Sequence, residues 1–293
     1  MVKRLKPVEL FLTLGLAATL GACASPSTNA GKGGEATNEP ASTVTPAHEG
    51  EGGVAPAHES EGGVTPAEGG EGGEGGEGGE SASTGDADVD YMTTLGLMKG
   101  HLIVAKELMA QGNYKQAEPH IGHPVEELYA DVEGELSQRK VPEFKSTLDE
   151  LHNLSKSAPE KPETTTAFEK SVQSIDKAIA AVPESQLRSP EFVLDVMNRM
   201  LKTAAEEYKA AIANNKFVEL VEYQDSRGFV LYTEELYKNI ADQVSKARPE
   251  DHKVIAARLE ELKKAWPAVN PPATPVKTPS EVYGLIGEIE LRS

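Results

Sequence analysis

Pro190-Glu191-Phe192-Val193-Leu194-Asp195-Val196-Met197-Asn198-Arg199-Met200-Leu201-Lys202-Thr203-Ala204 opens the clearest amphipathic run of the chain. Phe192, Val196, Met200, Thr203 or Ala204, and Ile212 recur at steps of three and four, the spacing that lines one face of an α-helix. Pro190 sits where a helix's first turn tolerates a missing donor. Similar runs, parted by Pro, Gly and Asn, fill the rest of the chain from Tyr91 onward. They predict helices at roughly 91–111, 113–119, 124–137, 141–156, 164–182, 190–213, 216–222, 229–247, 250–265 and 279–290. Asp149, His152 and Lys156 fall on the polar side of their helix. The short Gly228-Phe229-Val230-Leu231-Tyr232 is the one rival for a strand. The fold class is therefore all-α, an antiparallel helical bundle.

Two words of the sequence repeat in order. Glu126-Glu127-Leu128-Tyr129 answers Glu234-Glu235-Leu236-Tyr237, and Leu148-Asp149-Glu150-Leu151 answers Leu259-Glu260-Glu261-Leu262. Each first word follows a break after a long helix, Gly112-Asn113-Tyr114 in one case and Asn214-Asn215-Lys216-Phe217 in the other. The pattern predicts two related four-helix halves, about 91–183 and 188–293, within a domain spanning 91–293.

Ahead of the helices the composition changes. Residues 23–90 hold Gly, Glu, Ala, Pro, Ser and Thr with Val as the sizeable aliphatic, too little apolar surface to offset the entropy of ordering. From 24 to 90, eleven Glu and three Asp against one Lys give −13 of the chain's net −18, which leaves −7 for the helical part once the +2 of residues 1–23 is counted. No basic face is available for a phosphate backbone, so nucleic acid is excluded as a partner. A decapeptide repeat, Thr45–Val54 and Ala55–Val64, carries His48 and His58 and passes into Glu-Gly-Gly triplets ending at Glu80. Gly supplies flexibility and like charges repel, so the stretch is expected to be a disordered, extended tether.

The first residues have a basic head (Lys3, Arg4, Lys6), an apolar run from Val8 to Leu20, and then Leu20-Gly21-Ala22-Cys23. That order is the anatomy of an export signal over 1–22, and the run is short for a membrane span. Leu20-Gly21-Ala22-Cys23 resembles the lipobox of bacterial lipoproteins. The resemblance implies lipidation of Cys23, anchoring to a bacterial membrane through the N-terminal lipid, and, with Ala24 rather than Asp next, an outer membrane anchor facing the periplasm. Cys23 is the sole cysteine, so no intramolecular disulfide is available.

Histidine is the informative side chain. His101 lies on the first long helix, and His120 and His123 flank a bend expected from Pro119, Gly122 and Pro124. Glu126 and Glu127 follow one turn on. Imidazoles with a carboxylate suit Fe, Cu, Zn or Ni, so His101, His120, His123, Glu126 and Glu127 form the candidate metal set. The matching stretch of the second half has Gln224-Asp225-Ser226-Arg227 and no histidine. Exported, duplicated and helical, with the word His123-Pro124-Val125-Glu126, the domain resembles the imelysin-like family of periplasmic and lipid-anchored proteins, which implies a link to iron uptake. No Gly-x-Ser-x-Gly elbow, no phosphate loop between strand and helix, and no His-Glu-x-x-His word is present, so an enzyme is not expected. The competing expectation is a scaffold that binds an envelope protein without metal. Gly112-Asn113-Tyr114-Lys115-Gln116-Ala117 resembles the middle of a tetratricopeptide repeat, and Tyr223, Tyr232 and Tyr237 are candidate contacts in the second half, with bundle core the favoured alternative for them.

Overall fold

Asp86 starts the first helix of the computed structural model, which describes residues 85–293. Its carboxylate accepts from the N–H groups of Asp88 (2.9 Å) and Val89 (3.2 Å), two donors that a helix start would otherwise leave unpaired. Helix α1 (Ala87–Ala110) thus begins before Tyr91, and Val89 is already buried. The export signal, Cys23, His48 and His58 lie outside the described residues. Among the described residues no helix is long and apolar enough to cross a membrane.

The first half continues with α2 (Tyr114–His123), a π-helical turn (Pro124–Leu128), α3 (Tyr129–Gln138), α4 (Lys145–Ser157) and α5 (Pro162–Ile179). The one-turn α6 (Glu184–Leu187) leads to the second half: α7 (Pro190–Ala210), α8 (Leu220–Ala247), α9 (Pro249–Leu262) and α10 (Pro279–Glu290). In the first half α1 packs on α2, α2 on α4, α4 on α5, and α5 back on α1. The second half closes in the same way through α7, α8, α9 and α10. The halves meet where α1 packs along α7 and α8, and α1 is accordingly buried on nearly every side.

Three expectations need correction. The bend at 120–123 is absent: the chain stays helical from Tyr114 to Gln138, with Pro119 inside α2 and Pro124 opening the π-turn. A wider turn relaxes the ring-to-carbonyl clash that proline causes in a regular helix. The break at Gly228 is also absent, because α8 runs through it. That glycine is required by packing: a methyl there would overlap the Gly100 carbonyl oxygen and lie 2.8 Å from its carbon. Finally, 212–217 is a small hairpin in place of helix. Ile212 pairs with Phe217 and Ala213 with Lys216, around Asn214 (φ 52°) and Asn215 (φ 59°). Two successive left-handed residues are what a two-residue turn between twisted strands demands, and asparagine tolerates them best after glycine.

Candidate metal centre

The Gly100–Gly228 contact sets the site, because it lets α1 and α8 approach backbone to backbone. His101 follows Gly100 on α1, and Asp225 lies one turn before Gly228 on α8. His101 Nδ1 reaches Asp225 Oδ1 at 2.7 Å. His120 and His123, three apart on α2, share the face turned to the same carboxylate. His120 Nδ1 is 2.6 Å from Asp225 Oδ1, and His123 Nδ1 is 3.4 Å from Asp225 Oδ2. The rings of His123 and Phe229 each stand edge-on to that of His101, at 4.8 Å and 5.0 Å.

All four side chains are sealed from solvent. His101 and His120 are 0% exposed, Asp225 1% and His123 5%. Burial pushes the Asp225 carboxyl up, but the charges of His120 and His101 and their hydrogen bonds outweigh it, and the group is held well below the usual carboxylate range. The second nitrogen of His120 is fixed as well. Nε2 lies 2.9 Å from Gln224 Oε1, while the Gln224 amide nitrogen faces the Val269 carbonyl (3.3 Å) and Gln116 Oε1 (3.4 Å). Two acceptors on the nitrogen side orient the amide, so His120 Nε2 donates to Gln224. His120 Nδ1 faces Asp225, so both of its ring nitrogens have a partner.

One donor atom from each of His101, His120, His123 and Asp225 can be chosen so that all four lie within 4.8 Å of one another. A tetrahedron with bonds of about 2.1 Å has edges of about 3.4 Å, so small side-chain rotations separate this arrangement from four-coordinate geometry. Three imidazole nitrogens and one carboxylate oxygen suit first-row transition ions such as Fe, Cu, Zn and Ni. The retained His120 Nε2–H···Gln224 bond is the kind of outer support that ligating histidines carry. The donor chemistry therefore fits a metal.

The structure brings together the three histidines named from sequence and leaves out the two glutamates. Glu126 belongs to the π-turn, whose wider winding carries it off the His120/His123 face. It is exposed and 3.4 Å from His152 Nδ1. Glu127 is half-buried and lies outside the four-residue group. His152, expected on a polar surface, is buried: its Nε2 is 2.7 Å from Glu118 Oε1 and its ring rests on Gly122, where a Cβ would come within 2.9 Å of it. Asp225 and Gln224 were the residues missed as ligand and support. Tyr223, Tyr232 and Tyr237 are core side chains rather than surface contacts, and the Tyr223 hydroxyl donates to the Ala268 carbonyl at 2.8 Å.

The architecture defines an all-helical bundle of two packed parts with a buried histidine–aspartate centre between them. Residues 183–293 match the family described as an iron permease-associated 4-helix bundle domain. The matched segment covers α6 to α10, the half that contributes Asp225 and Gln224. No curated protein and no solved structure matches the chain.

Proposed function

We propose that this chain is a non-catalytic metal-handling protein of the bacterial envelope. It holds one transition-metal ion between its halves, with His101, His120, His123 and Asp225 as ligands, and with iron the metal that the matched family's description favours. The observation that carries the proposal is the convergence of three buried histidines and a buried aspartate from α1, α2 and α8. Burying such polar groups is unfavourable unless they are paired or put to use. Their seclusion from solvent supports a non-catalytic role. The Leu20-Gly21-Ala22-Cys23 word and the Gly/Glu-rich stretch after it support a lipid anchor at Cys23 with the bundle held away from the membrane. A metal would join the two halves and stabilise the fold by its binding free energy.

The test is metal binding by the full chain, carried in detergent, with Fe(II) under anaerobic conditions, Cu(II), Zn(II) and Ni(II). The expected result is one equivalent bound and a raised melting temperature. Both should be lost when His101, His120 and His123 are changed to Ala while the helical circular dichroism persists. Equal binding by the variant would refute the site.

A second role rests on a separate feature. A groove of about 430 Å³ runs between α1, α2 and α5, lined by Lys106, Met109, Tyr114, Phe168, Glu169 and Val172 among others. It supports the alternative of an envelope-protein interaction module, whose partner binding would be indifferent to metal.

A further inference from the structure

We propose that the centre takes its metal in the divalent state, ferrous where the metal is iron, and rejects the trivalent ion. The inference rests on the metal-binding proposal above and concerns which ion the same residues accept.

The first argument is charge. Asp225 is the single anion among the four donors, and all four are at least nine-tenths buried. With neutral imidazoles, a divalent ion leaves a net charge of +1 in the interior, whereas a trivalent ion leaves +2. Uncompensated charge in a medium of low polarity is expensive, and the penalty rises faster than the charge itself. Glu222, half-buried one turn before Asp225, is close enough for its charge to act on Asp225 and His123; counted as ionised, it brings the sums to 0 for a divalent ion and +1 for a trivalent one, which keeps the order. Glu126 is exposed and faces His152, and Glu118 is engaged by His152 and by Lys156 at 3.5 Å.

The second argument is donor type. Ferric ion is hard and seeks several anionic oxygens, carboxylate or phenolate. Here three of the four donors are imidazole nitrogens, which suit divalent first-row ions. The nearby phenol is committed elsewhere, because the Tyr223 hydroxyl is bonded to the Ala268 carbonyl. Both arguments favour the same oxidation state, although one concerns solvation and the other bonding.

The experiment uses the full chain in detergent with three probes: Co(II) as a redox-inert divalent reporter, Fe(II) under anaerobic conditions, and Fe(III) supplied as its nitrilotriacetate complex. Each is titrated by competition against a chelator of known affinity. Co(II) and Fe(II) are expected to bind at one equivalent, with the Fe(III) Kd, once the chelator's own affinity for each ion is divided out, at least a hundredfold above the Fe(II) Kd. A hundredfold preference raises the Fe(III)/Fe(II) potential of the bound ion above that of the free aqueous couple by about 118 mV, taking 59 mV per tenfold for one electron, so voltammetry provides an independent readout. His123→Asp, which adds a second anionic oxygen, is expected to narrow the preference by at least tenfold, with circular dichroism confirming that it folds. Fe(III) bound as tightly as Fe(II), with Co(II) binding intact, overturns the ferrous preference and leaves the site standing. Absence of both Co(II) and Fe(II) binding removes the site and the preference together.

Discussion

Replacing Gly228 with Ala should separate the two halves at the point where the centre is assembled. The added methyl would lie 2.8 Å from the Gly100 carbonyl carbon and 2.9 Å from Val104 Cγ2, besides overlapping the Gly100 oxygen. Carbon atoms need about 3.5 Å, so α1 and α8 must part by about 0.7 Å or more. The obstacle is backbone, which cannot escape by changing rotamer, so the penalty falls near the top of the usual overpacking range, about 3 kcal/mol. Alanine's better helix propensity returns about 1 kcal/mol. The net loss is about 2 kcal/mol, or a melting temperature lower by about 4–8 °C for a domain of this size. Gly134, on the exposed face of α3, has open space around it, with nothing within 4 Å of where a methyl would sit. There the same change should raise the melting temperature by about 2–4 °C. Thermal melts followed by far-ultraviolet circular dichroism would measure both. The His101–Asp225 distance should lengthen with the helices, so metal affinity should fall about tenfold or more in the first variant and stay unchanged in the second. A Gly228→Ala protein that melts at or above the parent temperature would show that the close crossing is not what holds α1 against α8.

Asp225→Asn removes the anion between His101 and His120, and stability at neutral pH should drop by about 3–5 kcal/mol in urea titrations. Because the carboxyl is held well below its ordinary value in the fold, its stabilisation is fully present above about pH 3.9 and is lost as pH falls below that toward the depressed folded value. The variant's stability should therefore decline less steeply on acidification, and parallel curves for the two proteins would contradict the assignment. Gln224→Ala leaves His120 Nε2 without its acceptor, and metal affinity should weaken about ten- to a hundredfold with little change in helix content, read by competition titration. Ser226→Ala deprives the buried Trp266 indole N–H of its acceptor at 2.8 Å. The expected loss is about 1–3 kcal/mol, together with a shift in the emission of the chain's single tryptophan.

The helices were legible because their apolar stripes are long and proline marks several of their starts, as at Pro162, Pro190, Pro249 and Pro279. What resisted reading were places where tertiary contact overrides local preference. Gly228 looks like a breaker in a single strand of text, yet it is the seat of a helix crossing. Pro119, Gly122 and Pro124 look like a bend, yet the first two lie within α2 and the third opens a π-turn that keeps the chain helical. The histidines could be found from sequence since His120 and His123 are neighbours on one helix face. Asp225 lies 102 positions beyond His123 and was hidden by the break assumed at Gly228. A signal was present nonetheless: Asp225 shares its helical phase with Phe229, Tyr232, Leu236, Ile240 and Val244, all buried. A carboxylate in register with such a stripe marks a charge that the fold must use. Glu126 was misassigned because regular α-helical spacing was carried across a turn that is not α-helical.

The π-turn at Pro124–Leu128 has a consequence for how the first half can change over time. Such a turn accommodates an extra residue in an otherwise continuous helix, so the faces before and after it stay in phase. Upstream, His120 and His123 keep their aim at the centre; downstream, Tyr129 and Val132 keep theirs at the core. Deleting one residue between Pro124 and Leu128 would restore ordinary winding with both sets still aimed, because five residues of a π-turn advance the helix by about as much as four of an α-helix. A deletion within the regular winding of α2 or α3 would instead turn one set away from its target by roughly 100°. In an assay of random insertions and deletions, 124–128 should stand out as a stretch that tolerates the loss of one residue between two helices that do not.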